Sequence, residues 1–121
     1  MRILIVDDSK AMRLIVRRTL RQAGFPDESI EEATNGTEAL KSIRTNSPDL
    51  VLSDWNMPEM TGIDLLTTLT KEGKKISFVF VTSESTPEMR DRAKSAGALS
   101  LIGKPFDADT FRKVLAPILK P

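Results

Sequence analysis

Five short apolar runs recur along the chain, separated by longer stretches of helical periodicity. They lie at residues 3–6, 30–33, 50–52, 76–81 and 98–102. The first run, Ile3-Leu-Ile-Val6, has few polar neighbours, which is typical of a strand covered on both faces of a sheet. The run at 30–33 is the weakest of the five. The pattern predicts five strands, each followed by a helical segment.

The first helical segment follows the first run directly. Ser9 offers an N-cap, and Gly24 with Pro26 ends the helix. The residues predicted to face inward are Met12, Ile15, Val16, Thr19, Leu20 and Ala23. The basic residues of this helix, which we interpret as a solvated face rather than a docking site, are Lys10, Arg13, Arg17, Arg18 and Arg21.

Turn and cap residues predict four further helices. Their boundaries are marked by Asn35-Gly36 before the second, Gly73 after the third, Gly97 after the fourth and Asp107 before the fifth. Ser85 and Glu88 have the spacing of a capping box at the start of the fourth helix. Pro117 interrupts the last helical pattern, so that helix is predicted to kink or end there.

This alternation of strands and helices indicates an α/β fold. Five βα units imply a mostly parallel, doubly wound sheet of five strands with helices on both faces and right-handed crossovers. No repeat, linker or low-complexity tract divides the sequence. We therefore predict one domain over residues 1–121, a length that suits a single hydrophobic core.

Composition narrows the chemistry that this domain can perform. The net charge of +1 gives no strong attraction to nucleic acid, and no apolar run approaches the ~20 residues of a membrane helix. The absence of cysteine and histidine excludes disulfides, thiolate chemistry and histidine-dependent triads. The N-terminus shows no signal-peptide pattern, so we predict a cytoplasmic protein. Carboxylates, hydroxyls, lysines and a hard metal remain as candidates.

Polar residues collect where the predicted strands end. Those residues are Asp7 and Asp8 after the first strand, Asp54 after the third, Thr82 and Ser83 after the fourth, and Lys104 after the fifth. A single aspartate after a strand is usually a turn former or helix cap. Because parallel strands share one carboxyl edge, where such sheets bind ligands, the joint pattern favours a functional site.

The charges of this cluster indicate a metal and a phosphoryl group. Three carboxylates at close range repel each other, and a divalent cation would offset that repulsion. Oxygen-only ligands select a hard ion such as Mg²⁺, which usually also binds phosphate oxygens. Thr82 could donate to a phosphoryl oxygen and Lys104 could neutralise another. Asp54 could then act as the nucleophile, as aspartate does in aspartyl-phosphate enzymes.

At these positions the sequence resembles the receiver domains of two-component response regulators. Within that family it is most similar to the single-domain chemotaxis regulators of the CheY type. The matching motifs are Asp7-Asp8, Asp54, Met57-Pro58 followed by Gly62, Thr82, and Lys104-Pro105. They extend from the first residues to the last helix. The resemblance implies a flavodoxin-like fold with strand order 2-1-3-4-5 and five helices, and a cis peptide bond between Lys104 and Pro105.

The resemblance also implies a metal site. Asp8 and Asp54 would ligate Mg²⁺ directly, together with the backbone carbonyl of Asn56, while Asp7 would act mostly through water. Asn56 and Glu84 would tune the access of water to the phosphoryl group.

The same resemblance implies the phosphoryl chemistry. Asp54 would accept the phosphoryl group from a histidine of a partner kinase. Lys104 would pair with that group, and Thr82 and the Ser83 amide would bind its oxygens. The protein would not be an enzyme beyond phosphorylating itself from small donors and dephosphorylating itself.

Output is implied to be protein contact. Phosphorylation would alter the face made by the fourth helix, fifth strand and fifth helix, where an output protein binds. We expect a monomer that contacts neither nucleic acid nor membrane. Leu101 is a departure, since the family usually has tyrosine or phenylalanine there, and this puts the usual aromatic switch in doubt.

Several other functions must be weighed against this interpretation. A haloacid dehalogenase-type phosphatase needs a second acid two residues after its nucleophile, where this chain has Asn56. A flavodoxin-like FMN module needs a phosphate loop rich in serine, threonine and glycine, whereas Asp7-Asp8 would repel phosphate. The chain could also be a receiver domain from a larger response regulator or hybrid kinase, or a phosphorylation-independent scaffold.

Overall fold

The computed structural model describes residues 1–118 and contains one five-stranded parallel sheet. The strands are β1 (Ile3–Val6), β2 (Ile30–Ala33), β3 (Leu50–Ser53), β4 (Ser77–Thr82) and β5 (Ser100–Gly103). Their order across the sheet is β2-β1-β3-β4-β5, and every neighbouring pair is parallel. The predicted strand number and order are confirmed, with boundary shifts of one or two residues in β3, β4 and β5.

Five α-helices cover the sheet. They are α1 (Lys10–Gln22), α2 (Gly36–Thr45), α3 (Gly62–Lys71), α4 (Pro87–Ala96) and α5 (Ala108–Leu115), with a 3₁₀ turn at Asp27–Ser29. The caps predicted at Ser9 and Asp107 are present, since each side chain accepts an amide N–H from the first turn of its helix. Asn35 caps α2 in the same way. α5 ends at Leu115, two residues before Pro117, as predicted.

Two apolar clusters hold the helices on opposite faces of the sheet. Side chains of α2, α3 and α4 pack on one face around Val51, Phe78 and Phe80. Side chains of α1 and α5 pack on the other face around Ile5 and Phe111. Strands β1, β3 and β4 lie in the middle and are buried on both sides, which explains their nearly continuous apolar sequence.

The start of α4 differs from the prediction. Its N-cap is Thr86, whose hydroxyl accepts the amide N–H of Met89, and Pro87 occupies the first helical position. The capping box expected from Ser85 and Glu88 is therefore wrong. Because proline is favoured at the first helical position, Pro87 selects the residue immediately before it as the cap.

The orientation of α1 also differs in two positions. Ile15, expected inside, is 48% exposed, whereas Arg13, expected on a solvated face, is only 9% exposed. Arg13, Val16 and Leu20 are spaced three and four residues apart and form one stripe toward the sheet. The stripe that packs on the sheet is thus rotated from the one drawn through Ile15, and it includes a charged residue.

Candidate metal centre

Strand register brings the acidic residues together at the carboxyl edge of the sheet. Val6 of β1 pairs with Ser53 of β3, so Asp7 and Asp54 each follow the last paired residue of adjacent strands. The amide N–H of Asp54 continues the ladder by donating to the carbonyl of Val6 at 2.9 Å. The two carboxylates are therefore neighbours because parallel pairing makes their strands end side by side.

Asp7, Asp8 and Asp54 form a cluster that could hold a cation. Each offers a carboxylate oxygen, and these oxygens all lie within 4.8 Å of one another. Asp7 is buried, Asp54 is half-buried and Asp8 is exposed, so the cluster opens to solvent on the side of Asp8. Carboxylate oxygens without nitrogen or sulfur donors fit a hard divalent ion such as Mg²⁺.

Burial and mutual repulsion disfavour ionised Asp7. Burial raises the pKa of the Asp7 carboxyl most strongly, and the negative charges of Asp54 and Asp8 raise it further. The Ser9 amide, which donates to Asp7 Oδ1 at 2.8 Å, and the Lys104 charge lower this pKa but do not cancel the rise. The arrangement holds negative charge that a bound cation would stabilise.

Asp54 is in a similar environment. Burial is the main cause that raises the pKa of its carboxyl, and the charge of Asp8 adds to it. The Lys104 charge opposes the rise, as do the amides of Trp55 and Asn56. Asp54 Oδ1 accepts the Trp55 amide at 2.7 Å, which fixes the carboxylate orientation.

Thr82 and Lys104 lie beside this cluster at the ends of β4 and β5. Thr82 is fully buried, and its hydroxyl accepts the amide N–H of Glu84 at 3.3 Å. The amide N–H of Lys104 donates to the Thr82 carbonyl at 2.9 Å, which ties the two strand ends together. The Lys104–Pro105 peptide bond is cis, as expected.

The remaining predicted site residues lie at the rim. Asn56, Ser83 and Glu84 are exposed and follow the strand-terminal residues Asp54 and Thr82. All the predicted site residues therefore gather at one edge of the sheet. Their roles toward a metal or a phosphoryl group stay predictions.

The loop after Asp54 is held close by Gly62. A Cβ atom at this position would lie 2.3 Å from the Asp54 carbonyl oxygen and 2.7 Å from Cε1 of Phe80. The Gly62 amide donates to the Trp55 carbonyl at 2.8 Å, so the loop closes directly against the strand end. Only a residue without a side chain allows this approach.

Trp55 is buried beneath an arginine of α4. The ring is 6% exposed, lies 4.7 Å from the Phe80 ring and has the Cζ atom of Arg92 5.5 Å from its centroid. Sequence analysis did not identify this contact, because nothing in the sequence relates Arg92 to a residue 37 positions earlier. It joins α4 to the residue next to Asp54.

Leu101 occupies the place where an aromatic residue was expected. It is 6% exposed and belongs to the apolar cluster on the α2–α3–α4 face. Its carbonyl accepts a hydrogen bond from Nη1 of Arg90 at 3.2 Å, which links β5 to α4. A leucine here packs inward and carries no hydroxyl that could turn between surface and interior.

Replacing Asp7 by asparagine should stabilise the metal-free protein. The pKa of Asp7 in the folded protein is raised above its ordinary value of 3.8. The stability that the protonated Asp7 contributes is therefore fully present below pH 3.8 and is lost as the pH rises through the folded pKa. Asp7→Asn keeps the Oδ1 acceptor for Ser9. Its melting temperature should therefore exceed that of wild type by a few degrees at about pH 7 and match it near pH 3.

Calorimetry in EDTA provides this measurement, with Asp91→Asn, which changes an exposed residue of α4, as the control. Mg²⁺ should raise the melting temperature of wild type more than that of Asp7→Asn. A lower melting temperature for Asp7→Asn in EDTA near neutral pH would contradict a strained acidic cluster.

Known proteins are similar to this chain over almost its whole length. The sequence profile of the response regulator receiver domain matches residues 3–116. Chemotaxis protein CheY-3 of Vibrio cholerae serotype O1 is 40% identical over 99% of this chain and 92% of its own length. Chemotaxis protein CheY of Pseudomonas aeruginosa is 37% identical over 99% of this chain and 97% of its own.

A solved structure agrees with these sequence relatives. Chemotaxis protein CheY4 of Vibrio cholerae superposes with a TM-score of 0.85 at 34% identity and covers 98% of both chains. Among the helices of residues 1–118, none has the length and apolar character needed to cross a bilayer.

Proposed function

The chain belongs to the response regulator receiver family, and from that premise we propose that it is the phosphoacceptor of a two-component signalling system. Its close resemblance to CheY chemotaxis regulators supports a chemotaxis-type role. The phosphoryl donor is a histidine of a partner kinase, which suits a chain that contains no histidine itself. We place the protein in the cytoplasm as a monomer.

The observation that carries this proposal is the acidic cluster with Asp54 at the end of β3. A carboxylate oxygen of Asp54 attacks the phosphorus of the phosphohistidine, the phosphorus–nitrogen bond breaks, and the imidazole keeps the electron pair. The product is an acyl phosphate on Asp54. Lys104, whose charge already acts on both Asp7 and Asp54, balances the added negative charge.

Mg²⁺ at this site would be held by Asp8, Asp54 and the Asn56 carbonyl, with Asp7 acting through water. The bound ion supplies positive charge that offsets the carboxylates and the phosphoryl oxygens. The chain's own residues fix the geometry: the Trp55 amide orients Asp54, and the Ser9 amide orients Asp7. Asn56 and Glu84, at the exposed rim, orient water for the later hydrolysis of the acyl phosphate.

Output passes through Thr82 to the face of α4, β5 and α5. Phosphorylation adds about −1.5 to −2 of charge beside Thr82, whose hydroxyl and the Ser83 amide then bind phosphoryl oxygens. Because the Thr82 backbone carbonyl accepts the amide N–H of Lys104, a shift of Thr82 moves the end of β5. Buried Leu101 gives a smaller side-chain response than an aromatic residue, so the change is led by the backbone.

Two related functions use the same fold. A receiver domain that belongs to a larger regulator or hybrid kinase would perform the same chemistry with a different output. A scaffold receiver would not be phosphorylated at all. The three acids, with Thr82 and Lys104 beside them at the carboxyl edge, favour the phosphorylated forms.

A fluorescence titration tests the proposal. Trp55 is the sole tryptophan, and its amide contacts Asp54, so Mg²⁺ should change its emission in a saturable way. Beryllofluoride, which mimics the phosphoryl group, should cause a further change only when Mg²⁺ is present. Asp8→Asn should weaken both responses, while Glu28→Gln, an exposed acid outside the cluster, should not. Saturation by beryllofluoride in EDTA would refute the metal-dependent site.

A further inference from the structure

Arg13 is a buried arginine that the proposed mechanism does not use. It lies in the first turns of α1, and its side chain is 11% exposed. Its neighbours Arg17 and Arg18 along the same helix are more exposed. A guanidinium buried in the fold needs charged or polar partners that offset the free-energy cost of its desolvation.

The partners of Arg13 connect the acidic cluster with strand β2. Nη1 donates to the backbone carbonyl of Asp7 at 2.6 Å, and Nε donates to Oε1 of Glu32 at 2.8 Å. The other oxygen of Glu32 accepts Nε of Arg17 at 2.9 Å. Arg17 in turn contacts Asp27 at 2.8 Å. Positive and negative side chains alternate along this series of contacts, and Arg13 at one end of it binds the backbone of Asp7 in the acidic cluster.

Arg13 contacts the main chain of Asp7 and not its carboxylate, so Arg13 can orient the backbone at this position. The Asp7 carbonyl belongs to the peptide plane that it shares with Asp8, and that plane is rigid. The Asp7 amide donates to the Ala33 carbonyl at 3.2 Å and the Asp7 carboxylate accepts from Ser9. Because Arg13 binds the Asp7 carbonyl, the backbone is held on both sides of Asp7. The fixed peptide plane then sets the direction of the exposed Asp8 side chain.

We propose that Arg13 is a positioning residue for the Mg²⁺ site, acting through the Asp7–Asp8 peptide, and that Glu32 holds Arg13 in place. The inference rests on the proposed function, because it concerns the metal that the acidic cluster would bind. The exposed Asp8 side chain makes no hydrogen bond or ion pair within residues 1–118. Its alignment with Asp54 therefore depends on the peptide plane that Arg13 fixes.

A purely structural role for Arg13 makes a different prediction. In that case the Arg13–Glu32 pair would only join α1 to β2, and its loss would lower stability without altering the metal affinity of the folded protein. Arg17 is the matched control. It binds the same Glu32 and also Asp27, but within residues 1–118 it donates no hydrogen bond to Asp7.

The test compares Mg²⁺ dissociation constants of Arg13→Met and Arg17→Met, followed by Trp55 fluorescence at constant ionic strength. Arg13→Met should bind Mg²⁺ about 10–100-fold more weakly than wild type, the range typical of residues that orient metal ligands. Arg17→Met should keep the wild-type constant despite a lower melting temperature. Equal constants for the two variants, whether unchanged or equally weakened, would overturn the inference.

Arg13→Lys provides a second variant that keeps the charge. An ammonium can reach either the Asp7 carbonyl or Glu32 but lacks the planar fork that binds both, so its affinity should lie between wild type and Arg13→Met. If Arg13→Met does not fold, wild-type affinity in Arg13→Lys contradicts the proposal. Failure of wild type itself to bind Mg²⁺ would instead refute the proposed function.

Discussion

Asp54→Asn is expected to abolish phosphorylation by radiolabelled acetyl phosphate in the presence of Mg²⁺. The amide has no anionic oxygen to attack phosphorus, and it removes one carboxylate from the metal cluster. The substitution preserves the oxygen that accepts the Trp55 amide, so the fold around the site should remain. Loss of label in an otherwise folded variant would therefore report on chemistry.

Two controls accompany this measurement. Asp91→Asn, which changes an exposed carboxylate of α4, should be labelled like wild type. EDTA should suppress labelling of wild type and Asp91→Asn alike. Label at the wild-type level on Asp54→Asn would remove Asp54 from its role as phosphoacceptor and favour a different acceptor residue.

Gly62→Ala should destabilise the fold severely. The added methyl group would be placed 2.3 Å from the Asp54 carbonyl oxygen and 2.7 Å from the Phe80 ring, so the loop must withdraw from the strand end. Overpacking of this kind costs about 1–3 kcal/mol and sometimes more, and contact with backbone leaves little room to relax. We expect a loss in the upper part of that range, measured by urea unfolding.

Gly73→Ala separates crowding from backbone conformation. At Gly73 a Cβ meets nothing within 4 Å, but φ is +72°, which costs an alanine about 1–2 kcal/mol. If close contacts are the reason why position 62 requires glycine, Gly62→Ala should lower the free energy of unfolding more than Gly73→Ala does. It should also weaken Mg²⁺ binding in the molecules that remain folded, since the loop positions Asn56. A milder effect at Gly62 than at Gly73 would contradict this account.

The sequence was sufficient for the order of elements and for most of their ends. Apolar runs and caps such as Ser9, Asn35 and Asp107 act locally, so their meaning can be read from nearby residues. The start of α4 was also readable, because Pro87 marks the first helical position. The prediction gave more weight to the Ser85–Glu88 spacing than to the proline.

The supporting contacts of the site could not be derived in the same way. Arg13 binds Glu32, and Arg92 lies over Trp55, and both contacts depend on how far each helix is rotated on the sheet. A rotation of a fraction of a turn decides whether Arg13 or Ile15 faces inward. One signal was available: Arg13 lies three residues before Val16 and seven before Leu20, on the stripe that those apolar residues define.

Strand β2 lies at one margin of the sheet, and its two glutamates have a consequence for the behaviour of the protein in concentrated solution. Backbone groups at a sheet margin can recruit a strand from another molecule, which is a route to aggregation. Successive side chains of a strand point to opposite faces. Arg2 binds Glu31, and Arg13 and Arg17 bind Glu32. Ion-paired glutamates therefore lie on both faces of the sheet along the edge strand β2. An incoming strand would have to desolvate these ion pairs, which disfavours intermolecular strand addition at β2.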